Sequence, residues 1–287
     1  MSKMPERHIL EQMYLEERLS LREVGERCGV SGSAVQGWLK KSGIPTRSKS
    51  QARLIALGKG KFEGMKLRKF DRGFFRKWSP EMAYLLGLVF ADGHVNRWQL
   101  RFTFGEPSFG IIHNVKRVIG YDGPLTEIDN HGHPALGLFL GSTEMTNDLK
   151  ELDVPWGNKS RTKTFPDVPE GLESHFVRGY FDGNGSVGKK LVRFSCGSRE
   201  FVDGLQECIA RCMVREFGVV PTGGNVTIGK PRMTKLPQGT STMSKEFYTL
   251  IYASGQDRDN LYHWFYDDAP EFCYSERKRS AFSELVS

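Results

Sequence analysis

No stretch of this 287-residue chain is apolar for the length of a membrane span, so no part of it reads as a transmembrane helix. The N-terminus lacks a signal-peptide pattern, since Pro5-Glu6-Arg7-His8 leads into a charged segment; a cytoplasmic location is the expectation. Cysteine is scarce. Cys28, Cys196, Cys208, Cys212 and Cys273 are five in number and form no CxxC pair, which argues against a disulfide framework and against a zinc site. Cys208 and Cys212, near Ile209 and Met213, read as core thiols. The histidines do not gather as ligands; His131 and His133 flank a glycine in an expected loop. Carboxylates are in deficit, with 34 Asp and Glu against 41 Lys and Arg, for a net charge of +7.

That surplus is concentrated. Residues 51–78 hold nine Lys or Arg (Arg53, Lys59, Lys61, Lys66, Arg68, Lys69, Arg72, Arg76 and Lys77) against only Glu63 and Asp71. Phe62, Phe70, Phe74, Phe75 and Trp78 are interleaved with them. A basic, aromatic connector of this kind suits contact with a phosphate backbone. The length of the chain allows about two domains, and the connector falls between a segment 1–50 and a longer remainder.

Segment 1–50 reads as two short helices around a tight turn. Ser20 is placed to cap a helix starting at Leu21. Leu21, Val24, Cys28, Val30, Val35 and Trp38 form its apolar pattern, Gly25 permits close packing, and Gly29 sits where a left-handed backbone is needed. Ser31 is placed to cap the second helix. The spacing resembles DNA-binding helix-turn-helix modules, whose second helix enters the major groove. Ser31, Ser33, Gln36 and Lys40 are then the candidates for base or phosphate contact, and Arg47 and Lys49 belong to a following basic arm.

Two stretches of the remainder repeat each other: Leu85-Leu86-Gly87-Leu88-Val89-Phe90-Ala91-Asp92-Gly93 and Val177-Arg178-Gly179-Tyr180-Phe181-Asp182-Gly183-Asn184-Gly185. Each is an apolar helical segment with small residues four apart, Gly87 and Ala91 in one and Gly179 and Gly183 in the other. Residues so spaced share a helix face, and two such faces let backbones approach closely. Asp92 and Asn184 would then lie side by side at the end of a helix pair. After each motif the chain alternates like a half-buried strand. Leu100, Phe102 and Phe104 oppose Gln99, Arg101 and Thr103; Val192, Phe194 and Cys196 oppose Leu191, Arg193 and Ser195. Further strands are expected at 135–140 and 247–253, and helices at about 108–118, 143–152, 199–214 and 257–266.

Over roughly residues 79–285 this pattern resembles the LAGLIDADG homing endonucleases that carry both motifs on one chain. The run Asn158 to Pro166 looks like the basic stretch before the family's second motif, and the run Ser275 to Phe282 looks like its C-terminal helix. The resemblance implies an α+β fold: a pseudo-twofold, duplicated αββαββα core whose two sheets form a saddle over DNA, beside a small all-α helix-turn-helix domain. The domains would be 1–50, a linker 51–78, a first half 79–168 and a second half 169–287. It implies a site-specific, magnesium-dependent endonuclease (with manganese as a substitute ion), of the kind associated with introns and mobile elements. The protein would act on double-stranded DNA as a monomer, with no membrane or obligate protein partner.

The family's metal-binding position falls on Asp92 and on Asn184, with Gly93 and Gly185 adjoining them. A neutral amide stands where an acid is expected, so one strand would be cut well and the other slowly. Phe90 departs from the motif too, at the place that Asp182 fills in the second copy. A basic residue near the scissile phosphate would be Lys159, Arg161 or Lys163. Gln99, Arg101, Lys189, Arg193, Arg232 and Lys235 would contact DNA, the last two from a basic loop 230–245. The alternatives are a regulator that binds DNA without cutting it and, further off, an RNA maturase. A calcium loop at Asp182 is disfavoured, because Val187 and Arg193 occupy the positions of its glycine and its closing glutamate.

Overall fold

The computed structural model describes residues 4–48, 51–52, 55–56, 68–130, 132–157, 161–229, 233–235, 241–243 and 246–286. The chain divides into two compact units, Met1–Leu67 and Arg68–Ser287. The connector expected over 51–78 is therefore split. Its part from Arg68 onward is built into the second unit: the Asp71 N–H bonds the Ile119 carbonyl, the Asp122 N–H bonds that of Lys69, and Phe75 is buried.

The first unit is helical. Helix α1 (Arg7–Glu11) runs into a π-helical turn, followed by α2 (Leu21–Cys28) and α3 (Gly32–Lys41). Ser20 and Glu23 close a capping box at the start of α2, Gly29 ends it at φ 65°, and Ser31 caps α3. A Cβ on Gly25 would lie 2.5 Å from the Val30 carbonyl oxygen, so the bare backbone is what lets the turn fold onto α2. Leu10, Met13, Tyr14, Val24, Val35, Leu39 and Ile44 form a small core of their own.

The second unit repeats one pattern. Its first half is α4 (Pro80–Ala91), β1 (His94–Asn96), β2 (Gln99–Gly105), α5 (Phe109–Val118), β3 (Thr126–Asn130), β4 (His133–Gly141) and α6 (Thr143–Glu151). The second is α7 (Glu173–Asn184), β5 (Gly185–Val187), β6 (Val192–Cys196), α8 (Arg199–Phe217), β7 (Asn225–Gly229), β8 (Met233–Lys235), β9 (Ser241–Met243), β10 (Phe247–Tyr252) and α9 (Gly255–Tyr266), and α10 (Glu276–Ser283) follows it. Each half holds a four-stranded antiparallel sheet, ordered β1-β2-β4-β3 and β5-β6-β10-β7. The expected α+β architecture is the observed one. The basic loop 230–245 differs from expectation by containing a two-stranded hairpin, β8–β9. Among the described residues no helix is long and apolar enough to cross a membrane.

The alternation in β2 and β6 places Leu100, Phe102, Val192 and Phe194 in the core and leaves Arg101 and Arg193 exposed. The register pairs Phe102 with Leu138 and Phe194 with Leu250. Helix α4 starts at Pro80 behind a Ser79 cap, and it is buried on all sides from Met82 to Phe90. Its partner is α7. A Cβ on Gly87 would overlap the Phe176 carbonyl, and one on Gly179 would overlap that of Tyr84. These contacts exchange under the sequence offset of 92 that relates the two motifs, so the helix pair is pseudo-twofold at the level of single atoms. A Cβ on Gly183 would likewise overlap that of Ala91. Gly87, Gly179, Gly183 and Ala91 thus lie where the two helices approach each other.

Candidate functional site

The site lies at the shared C-terminal end of α4 and α7. Asp92 is the C-cap of α4 and is exposed. Asn184 is the last residue of α7 and is half-buried; its Nδ2 donates to the Ala91 carbonyl at 3.4 Å. The two helices are so close that a Cβ on Gly183 would fall 2.8 Å from Asp92 Oδ2. Gly93 lies against Val89, where a Cβ would be only 2.8 Å from the Val89 Cα, and Gly185 lies against the Phe181 ring. Both glycines therefore serve the sharp exit from helix to strand.

Two lysines brace these helix ends. Lys163 is buried, and its Nζ donates to the Phe90 carbonyl at 2.7 Å and lies over the Tyr180 and Phe201 rings. Lys278, on α10, donates to the carbonyls of Phe181, Asp182 and Gly185, each at 2.7 Å. Phe90 and Asp182 are equivalent under the offset of 92, so the lysines cap the two helices in matching fashion. Cations suit helix C-termini, where carbonyl dipoles converge. Burial lowers both lysines, Lys278 to about 8; Cys196, and after it Asp92, raise Lys163 again, and Asp182, and last Asp92, raise Lys278 against Arg277.

Asp182 points inward. It is buried, its Oδ2 accepts from the Tyr84 hydroxyl at 3.0 Å and the Ser275 N–H at 2.8 Å, and its Oδ1 has no hydrogen-bond partner among the described residues. Burial raises it to about 6, against the pull of Lys278, Tyr84, Arg178 and the Ser275 N–H. A cleft of about 250 Å³ is lined by Asp92, Asp182, Ser186, Arg277 and Lys278 among others.

Of the described basic candidates, Lys163 reaches the helix ends. Arg161 is exposed in a turn, and Lys159 lies outside the described residues. Lys278 was missed by sequence reasoning, which saw it only as part of a C-terminal helix. A signal was present: Lys163 and Lys278 each lie twelve residues beyond the helix closing the αββαββα half before them, at Glu151 and Tyr266.

The expected nucleic-acid contacts divide similarly. Gln99 is half-buried, while Arg101, Lys189 and Arg193 are exposed. Arg101 and Arg193 occupy equivalent strand positions. Arg232 lies outside the described residues, and Lys235 falls on β8. In the first unit Ser31, Ser33, Gln36 and Lys40 are exposed around α3, opposite Val35 and Leu39, and Lys49 is not described. Arg47 is turned inward: its guanidinium bonds the carbonyls of Tyr14, Arg18 and Leu19 and lies 3.8 Å over the Tyr14 ring. As placed, Arg47 holds its own unit together and does not extend an arm.

Residues 172–222, which include α7 and its exit into the second sheet, match the family model described as LAGLIDADG-like domain. The chain is also 28% identical over 154 residues to the DNA-directed RNA polymerase subunit Rpo1C of Methanocaldococcus jannaschii, a match that covers 47% of this chain and 16% of that protein. Similar solved structures include full-length DUF199/WhiA from Thermatoga maritima, at 14% identity and a TM-score of 0.41, covering 75% of this chain and 65% of that one. The I-LtrWI LAGLIDADG homing endonuclease bound to target DNA is similar at 9% identity and a TM-score of 0.43, covering 75% and 89%. I-DmoI in complex with DNA and Ca is similar at 14% identity and a TM-score of 0.38, covering 68% and 95%. The chain thus spans about a sixth of the curated relative and about two thirds of the WhiA chain.

Proposed function

We propose that this protein is a magnesium-dependent endonuclease acting on double-stranded DNA, with its reaction centre at Asp92. The observation that carries the reading is the glycine-mediated contact of α4 and α7, which sets Asp92 beside Asn184 at the end of a pseudo-twofold axis. A centre on such an axis is matched to a substrate of two antiparallel strands. The exposed arginines at equivalent positions, Arg101 and Arg193, extend that match along both sheets.

The donor set fits magnesium. The Asp92 carboxylate and the Asn184 amide oxygen offer oxygen alone, and among the described residues no group of three or more His, Cys, Asp or Glu is placed to hold a metal ion. Magnesium is held by one or two carboxylates together with substrate phosphates and waters, so a sparse protein set is what DNA would complete. A bound magnesium ion supplies an activated water and charge relief at the phosphate. The protein's own share is to present the Asp92 carboxylate at helix ends that Lys163 and Lys278 hold together. With one carboxylate in place of two, incision is asymmetric: one strand is cut well and its partner slowly.

The first unit serves as a helix-turn-helix reader, with Ser31, Ser33, Gln36 and Lys40 directed at the duplex. The protein acts as a monomer, since both halves of the centre lie on one chain. The competing reading, a regulator that binds without cutting, draws on Asn184. Enriching a randomised duplex library in EDTA and then adding magnesium separates the two. Metal-triggered incision of the enriched duplexes supports the enzyme; enrichment without incision supports the regulator.

A further inference from the structure

We propose that Arg97 and Trp98, at the tip of the β1–β2 hairpin, read a deformed base step of duplex DNA to one side of the reaction centre; this rests on the DNA-binding reading above. Trp98 is 61% exposed, unusual for the largest apolar side chain. Its backbone is nonetheless held. The Trp98 N–H bonds Asn96 Oδ1 at 2.8 Å, the Ser142 N–H bonds the Trp98 carbonyl at 3.1 Å, and the Thr146 hydroxyl bonds the Arg97 carbonyl at 3.0 Å. The Arg97 guanidinium lies 4.8 Å over the indole. The tip is therefore a rigid mount for an exposed ring and a cation, which is how an aromatic anchor binds with little ordering entropy to lose.

Charge and position define the occupant. From His94 to Gly105 the hairpin carries Arg97 and Arg101 and no carboxylate, which complements phosphate. Trp98 stands six residues beyond Asp92, at most about 20 Å of chain at ~3.3 Å per residue, so within about six base pairs at ~3.4 Å each. Apolar side chains lodged at base steps unstack and kink the duplex, and aromatic faces stack on bases of any sequence. The second half lacks this device. At the equivalent positions it has Lys189 and Lys190, both exposed, in a turn closed by the Gly188 N–H on the Leu191 carbonyl at 2.9 Å. One half-site is then read through a stacked ring, the other through phosphate charge alone.

The test uses the full chain in EDTA, so that cleavage is not needed. Native protein, Trp98→Ala, Trp98→Phe and Trp156→Ala (a second exposed tryptophan, as control) each enrich duplexes from a randomised library. 2-Aminopurine is then placed in turn at each position of the native consensus. A fluorescence rise is expected near one step, within about six base pairs of the centre and on one side only. Trp98→Ala should abolish it, relax base preference there and weaken binding about tenfold; Trp98→Phe should retain most of the signal and Trp156→Ala all of it. An unchanged consensus and affinity in Trp98→Ala overturns the proposal, as does an equal loss of affinity for single-stranded oligonucleotide. Failure of the native chain to enrich any duplex overturns the DNA-binding reading itself.

Discussion

His175 and Asp182 lie on one helix, α7, and their titrations oppose each other within the same pH range. Arg178 stands between them, fully buried, donating to the carbonyls of Cys273 at 2.8 Å and Phe265 at 2.5 Å, and through Nη2 to His175 Nδ1 at 2.9 Å. That last bond requires a neutral imidazole. Burial, then the Arg178 charge, lowers His175 from 6.5 to about 4, with Glu81 pulling weakly the other way. Burial raises Asp182 from 3.8 to about 6. For His175, whose folded value is depressed, the stabilising contribution is full above pH 6.5 and lost as pH falls through about 4. For Asp182, whose folded value is raised, it is full below pH 3.8 and lost as pH rises through about 6. Each shift exceeds two units, on the order of 3 kcal/mol per residue at ~1.4 kcal/mol per unit. In the native protein the two nearly cancel. Urea unfolding of His175→Gln and Asp182→Asn against native protein, from pH 4 to pH 7, separates them. The native advantage over His175→Gln should grow by about 3 kcal/mol as pH rises, and that over Asp182→Asn should shrink by a similar amount. Surface carboxylates drop out of both differences. Two flat difference curves, or two slopes of the same sign, would refute the reasoning.

Gly87→Ala and Gly179→Ala each drive a methyl group into a helix backbone that has nowhere to move, so each should lower stability by more than about 3 kcal/mol in urea melts. Gly37→Ala, on α3 with nothing within 4 Å of the new methyl, should raise it by about 0.5–1 kcal/mol. Arg47→Ala strips the first unit of bonds to three carbonyls and should lower that unit's unfolding free energy by about 2–3 kcal/mol. Asn184→Asp removes the donor to the Ala91 carbonyl and sets a second carboxylate beside Asp92. It should melt below native protein in EDTA and regain the loss when magnesium is added, which differential scanning calorimetry would show.

The parts of this fold written in local pattern were legible. Small residues four apart announced the α4–α7 contact, and period-two alternation announced which faces of β2 and β6 are buried. Ser20, Gly29 and Ser31 marked the helix ends of the first unit through turn and cap chemistry that needs no distant partner. What escaped depends on distant partners. Lys278 sits in the run Glu276-Arg277-Lys278-Arg279, where nothing local separates the one lysine that three carbonyls bury from its charged neighbours. Arg47 looks like a free basic arm until Tyr14 and Leu19 fold against it. Arg178, an arginine within an apolar motif, was the visible hint that α7 needs polar partners, and the end of α9 with the segment up to Ser275 supplies them. The basic connector read as one linker because charge hides packing: Arg76 pairs with Glu144 and Asp148, and Phe75 enters the core beside them.

The central claim is that Asp92 supports incision of duplex DNA while Asn184 handicaps one strand. Strand-resolved cleavage of a randomised duplex library with magnesium, comparing native protein with Asp92→Asn and Asn184→Asp, tests it most directly. The account predicts nicks biased to one strand, their loss in Asp92→Asn and a rise in double-strand breaks in Asn184→Asp. Sequence-specific binding with no incision, or incision that survives Asp92→Asn, would contradict it.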